Sequence, residues 1–122
     1  MSEMLRVLMV EPHKEPYELQ LRDTLPELQK AVGGLIEVLY NGDGTLLVCN
    51  EEGKLIGMEG NRRIGDGSTI IAGPFFVCGD SGESFRSLTD EEFSRYADRF
   101  AQPEDISPEE VQADTGFFFF SY

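Results

Sequence analysis

The chain has 122 residues, 40% of them apolar. That is enough for one domain with a real core, and it excludes both a second independent core and a disordered chain. The formal net charge is -13, from 23 acidic side chains against 10 Lys and Arg, a field that repels nucleic acid and anionic membranes and attracts basic partners.

Met4 to Val10 is a run of Leu, Val and Met and predicts a buried first strand. Pro12 and Pro16 bound a turn, and Tyr17 to Leu21 alternates as a second strand that can pair with the first as a hairpin. Thr24 and Glu27 have capping-box spacing, with Pro26 in the first turn, so a helix starts at Thr24. Leu25, Leu28 and Val32 would share its apolar face, and Gly33-Gly34 supplies a left-handed stop. Leu35 to Tyr40 and Thr45 to Asn50 flank Asn41-Gly42-Asp43-Gly44, which is strong hairpin chemistry. Lys54 to Met58 is expected as a third strand of this meander, and Asn61 to Ile64 as a loop or short strand. Asp66-Gly67 turns the chain. Thr69 to Cys78 is the longest apolar stretch and predicts a central strand, with Gly73-Pro74 marking a bulge or exposed edge. Leu88 to Arg99 is a helix with a capping box at Thr89 and Glu92 and an apolar stripe of Phe93, Tyr96 and Phe100. Ser107, Pro108 and Glu110 open a short third helix ending near Asp114.

These elements predict an α+β fold. It has a mostly antiparallel sheet of about five to six strands, two main helices and a short C-terminal helix. Residues 1–100 form the domain. Residues 101–122 form an acidic extension whose aromatic tail packs on the domain or on a second copy. Phe117, Phe118, Phe119 and Phe120 are too apolar to stay in water, so a homodimer through them is one expectation. No apolar run approaches the ~20 residues of a spanning helix. Met1 to Val10 lacks the basic and apolar regions of a signal peptide, so the expected compartment is the cytosol. Cys49 and Cys78 lie in apolar runs and read as reduced core residues.

Chemical motifs are sparse. The one histidine, His13, sits between Glu11 and Glu15 in a turn, a weak ligand set. No metal and no cofactor is expected. Carboxylate pairs such as Glu51-Glu52, Glu91-Glu92, Glu104-Asp105 and Glu109-Glu110 mostly fall in turns or first helical turns, where they complement the helix dipole. The Asp-Gly turns lack calcium-loop spacing, and no phosphate-cradling glycine motif occurs. Asn61-Arg62-Arg63 stands out as the one adjacent arginine pair in an acidic chain, between Gly60 and Gly65. Arginine forks match phosphate or carboxylate geometry, so an anion or nucleotide could be held by Asn61, Arg62 and Arg63. The alternative is that the arginines pair with neighbouring acids and stiffen a turn.

A set of segments resembles the family called domain of unknown function 3846. They are Val7-Leu8-Met9-Val10-Glu11-Pro12, Val32-Gly33-Gly34-Leu35-Ile36-Glu37-Val38, Asn50-Glu51-Glu52-Gly53-Lys54-Leu55, Asn61-Arg62, Ile70-Ile71-Ala72-Gly73-Pro74-Phe75 and Ser87-Leu88-Thr89-Asp90-Glu91. The resemblance covers about residues 4–100, and Pro74 stands where the family pattern has Thr. It implies an accessory protein of phages, plasmids or integrated elements acting on host machinery, with no established activity.

Three functions follow as expectations. The first is a non-enzymatic binding module of a mobile element. It would act on a basic host protein or on a small anionic ligand at Asn61, Arg62 and Arg63, without binding nucleic acid directly. The second is a carboxylate-based hydrolase, which needs a pocket with two close carboxylates. The third is a structural role in oligomerisation through the Phe tail.

Overall fold

A computed structural model describes residues 4–65 and 67–114. Eight strands and three helices follow in the order β1 (Met4–Val10), β2 (Tyr17–Arg22), α1 (Leu25–Val32), β3 (Ile36–Tyr40), β4 (Thr45–Asn50), β5 (Gly60–Ile64), β6 (Thr69–Ala72), β7 (Phe75–Asp80), β8 (Phe85–Arg86), α2 (Asp90–Arg99) and α3 (Pro108–Ala113). The main sheet runs β2-β1-β7-β4-β3, with β8 on β7, and β5-β6 form a separate two-stranded sheet. The strand pairings are antiparallel. The α+β expectation with a mostly antiparallel sheet therefore stands. Among the described residues no helix is long and apolar enough to cross a membrane.

The apolar runs of the three central strands are explained by burial on both faces. Alternate side chains of a strand point to opposite sides of the sheet. Val7, Met9, Leu46, Val48 and Phe76 pack with Leu28 and Val32 of α1. Leu8, Val10, Leu47, Phe75 and Val77 pack with Tyr96 of α2 and with Phe100 at its C-cap. Each face of the central sheet thus packs against its own helix.

The helix ends follow their caps. At α2 the Thr89 side chain accepts from the Glu92 amide while Glu92 reaches back to the Thr89 amide, and α3 repeats this box with Ser107 and Glu110. At α1 the expected box does not form: Thr24 is the N-cap but its side chain makes no capping hydrogen bond. Leu25 is also 55% exposed rather than on the buried face. Gly33 ends α1 at φ 80, as the left-handed stop requires.

Two strand expectations are corrected. There is no third meander strand here: Met58 lies outside any strand, and residues 54–57 are turns. Asn50 starts them by accepting from the Glu52 amide at 2.7 Å, and Met58 N–H then donates to the Gly53 carbonyl at 2.9 Å. Local side-chain bonding outcompeted the ladder. The stretch 69–78 is two strands in different sheets, divided at Gly73 (φ 85) and Pro74. Left-handed backbone followed by a residue without an N–H ends one ladder and starts another. The short β8 had no sequence signal.

Residues 101–114 pack on the domain. Ile106 and Val111 join Ile70 and Ala72 in a third apolar cluster. Gly60 allows this approach: a Cβ there would lie 2.8 Å from the Ile106 Cβ and 2.9 Å from Val111 Cγ2. The expected packing of Phe117–Phe120 lies outside the described residues, and of the Asp66-Gly67 turn only Gly67 is described.

Candidate functional site: the Asn61–Arg62 centre and the neighbouring cavity

Asn61 and Arg62 are both fully buried. Consecutive strand residues normally face opposite sides, yet these two side chains meet, with 2.8 Å between Arg62 Nη1 and Asn61 Oδ1. The β5–β6 register shifts between Gly60 and Arg62, and such a bulge re-aims side chains. Asn61 Nδ2 then donates to the Val10 carbonyl and to the Gly73 carbonyl, each at 2.9 Å. These bonds tie the end of β1 to the β6–β7 break.

Arg62 completes the centre. Its Nε donates to the Phe100 carbonyl at 3.2 Å, and Nη2 donates to the same carbonyl at 2.9 Å and to the Lys14 carbonyl at 2.7 Å. Nη1 donates to the Asn61 carbonyl at 3.2 Å and to Asn61 Oδ1 at 2.8 Å. A guanidinium has five N–H donors, and these contacts use all of them. Burial lowers the Arg62 pKa and the charge of Glu104 opposes that shift, but an arginine stays ionised at any working pH. The buried charge is solvated by backbone carbonyls and the Asn61 side-chain amide, not by a paired carboxylate.

Arg63 points the other way. It donates to Glu104 Oε1 at 2.9 Å and to Glu110 Oε2, and its amide donates to Glu104 Oε2 at 3.1 Å. The three residues expected to form one anion site are therefore divided between an interior clamp and a surface ion-pair network. Asn61 and Arg62 turn their donors onto the protein's own carbonyls, and Arg63 gives its charge to two carboxylates. The sequence shows the arginine pair but not the bulge that separates its members.

A cavity of about 280 Å³ opens beside this centre, between β3–β4, the 51–55 turn and β6. Leu39, Cys49, Leu55 and Ile70 supply apolar wall, and Glu37 and Glu51 supply carboxylates. Lys54 also lines it, but its Nζ is held by Asp114 Oδ2 at 2.9 Å. Asp114 also accepts from the Ile70 amide at 2.8 Å. The Cys49 thiol is pushed up to about 12 by burial, with the Glu37 charge adding to the effect. The thiolate is the reactive form, and burial disfavours it at Cys49. Burial likewise holds Cys78 at about 12, and both cysteines are free and buried as expected.

The shifted carboxylates lie elsewhere. Glu92 is held at about 2, chiefly by its hydrogen bond from Arg86. Burial pushes Asp43 up, but hydrogen bonds from Thr45 and Tyr96 and the charge of Arg95 outweigh it and leave Asp43 at about 2. Tyr96 Oη donates to Asp43 Oδ2 at 2.6 Å, which fixes α2 to the β3–β4 hairpin. His13 sits at φ 65 and bonds Glu59 Oε2 at 2.8 Å on the surface. Among the described residues no three His, Cys, Asp or Glu side chains converge as a metal set.

Comparison with curated proteins and with solved structures finds no match for this chain. A family model described as domain of unknown function (DUF3846) matches residues 5–101. That span holds the main sheet, the Asn61–Arg62 centre and α2, and it stops before α3. The chain belongs to the DUF3846 family.

Proposed function

We propose that the chain is a non-enzymatic binding module that engages a basic surface on a partner protein. The observation that carries this reading is how the charges are disposed. Arg6, Lys14, Lys54, Arg63, Arg86 and Arg95 are engaged in ion pairs, and Arg62 is buried. Glu51, Glu52, Glu83 and Glu109 are exposed and make no ion pair among the described residues. Seven of the ten Lys and Arg are thus paired or buried, Arg22, Lys30 and Arg99 stay exposed without an ion pair among the described residues, and the surplus carboxylates face outward. Such a surface steers a basic partner and rejects nucleic acid.

The hydrolase alternative draws less support. A general acid needs a carboxyl whose pKa is raised toward neutrality. The shifts resolved for carboxyl groups, at Asp43, Glu92 and Glu110, are all downward. The anion-ligand form of the binding reading has no free donor at Asn61 or Arg62. The mobile-element setting rests on the family resemblance, and it makes a nucleic-acid-binding host protein the partner class.

The test is capture by the tagged full chain from host cells, with an E51K/E52K/E83K/E109K variant as control. The expected result is a basic protein that is retained at low salt and released near 0.5 M salt, where the screening length falls to roughly 4–5 Å. The control should not retain it, and DNA should compete for it. A partner held equally by both chains at high salt, or no protein enriched over the control, contradicts the reading.

A further inference from the structure

Among the described residues, the large apolar side chains that are exposed include Leu35, Leu55 and Ile56. Leu55 and Ile56 lie in the 51–57 turn, and the Leu35 backbone is tied to the first residue of that turn. The Glu51 amide donates to the Leu35 carbonyl at 2.8 Å, and the Ile56 amide donates to the Glu52 carbonyl at 3.0 Å. Leu55 at 51% exposure is itself wall of the cavity bounded by Leu39, Cys49 and Ile70. The cavity therefore combines an apolar wall with carboxylates, and Leu55 is the exposed apolar residue at its edge. The outer strand on this side is β3, which among the described residues pairs only with β4.

The charge of this region is one-sided. Glu37 and Glu51 line the cavity, and Glu52 follows in the same exposed turn. The neighbouring cation Lys54 is neutralised by Asp114. None of these three glutamates has a cationic partner among the described residues. An occupant must therefore bring apolar surface for the hole and positive charge for its rim.

We propose that this cavity is the docking site for an extended basic segment of a partner protein, with one large apolar or aromatic side chain in the hole and Lys or Arg residues against Glu37, Glu51 and Glu52. The proposal rests on the reading of the chain as an acidic binding module and names the surface that does the binding. The size fits: a cavity near 150 Å³ holds one benzene ring, and this one measures about 280 Å³. Apolar burial provides affinity, and the carboxylates provide orientation and selection against acidic segments.

The probe is the pentapeptide KKFKK, with KKAKK and EEFEE as comparisons, titrated into the full chain carrying labelled Leu and Ile methyl groups. The expected result is saturable shifts of the Leu39, Leu55 and Ile70 methyls with KKFKK and none with EEFEE. KKAKK should bind about tenfold more weakly, because burying one large apolar side chain is worth about that factor or more. E37Q/E51Q should weaken KKFKK by a similar factor and flatten its salt dependence. Shifts elsewhere, or equal binding of KKFKK and KKAKK, overturn the proposal.

One competing occupant is the chain's own residues 115–122. A full-length variant with Phe117 to Phe120 replaced by Ser settles that. If the Leu55 and Ile70 methyls move on this substitution without peptide, the tail fills the cavity and the proposal fails. A second copy as occupant would appear as a dimer by native mass spectrometry, and that also overturns it. If KKFKK does not bind here while a basic host protein is still captured in a salt-sensitive way, this site fails and the binding-module reading survives.

Discussion

The main sheet and the small β5–β6 sheet are buried to similar depth but held by different forces. In the main sheet Val7, Leu8, Val48, Phe75, Phe76 and Val77 are fully buried and purely apolar. At the small sheet Asn61 and Arg62 are just as buried, and they are held by hydrogen bonds to carbonyls at Val10, Lys14, Gly73 and Phe100. The first region is non-directional and depends on volume. The second is directional and depends on donors. An apolar replacement of matching size should be tolerated in one and not in the other, because the backbone carbonyls around Arg62 cannot be removed with it.

The largest expected effect is in the apolar region. Phe76→Ala opens a cavity between the strands and α1, and urea unfolding should show a loss of about 3–5 kcal/mol. Asn61→Ala should lose about 2–3 kcal/mol, since two buried carbonyls and one Arg62 donor are left without a partner. Leu47→Met keeps the volume and should cost less than about 1.5 kcal/mol. Arg63→Ala breaks an exposed network and should cost no more than about 1 kcal/mol, less at high salt. If Asn61→Ala proved as mild as Leu47→Met, the distinction between the regions would fall.

Acid should act through a third kind of contact, the ion pairs that pin α2. Glu92 moves from 4.5 to about 2 on folding, mainly through Arg86. A depressed folded pKa gives stability that is full above the unfolded value, so it is present above about 4.5 and lost as pH falls toward about 2. Glu92→Gln should therefore be less stable than the parent at neutral pH, with the difference shrinking across that window. A difference that stays constant from pH 6 to 2 would mean that Glu92 acts by shape alone.

Much of the fold was legible because it is written in local chemistry. The Asn-Gly and Asp-Gly turn, the boxes at Thr89 and Ser107, and the left-handed Gly33 all act within a few residues. The structure departs from expectation where a turn's own hydrogen bonds or a backbone break beat the ladder, and where a distant partner decides. Leu55 and Ile56 look like strand residues, yet Asn50 caps a turn that leaves them exposed. Thr69 to Cys78 reads as one strand until Gly73 and Pro74 send its halves to different sheets. The Asn61-Arg62-Arg63 segment was conspicuous in the sequence, but its orientation depends on a bulge and on carbonyls as far along the chain as Phe100. No residue pattern within 60–65 announces those partners. The cavity is likewise assembled from β3, β4, β6 and the turn between, so its acidic rim has no signature in a single stretch.

The account rests most heavily on Arg62 as an internal clamp. The direct test is equilibrium urea unfolding of Arg62→Met beside Leu47→Met, read at the same pH and salt. The account predicts that Arg62→Met loses about 3 kcal/mol or more, because the Phe100 and Lys14 carbonyls become unsatisfied, while Leu47→Met changes little. An Arg62→Met protein as stable as the parent would contradict it, and would return the arginine to the search for a ligand.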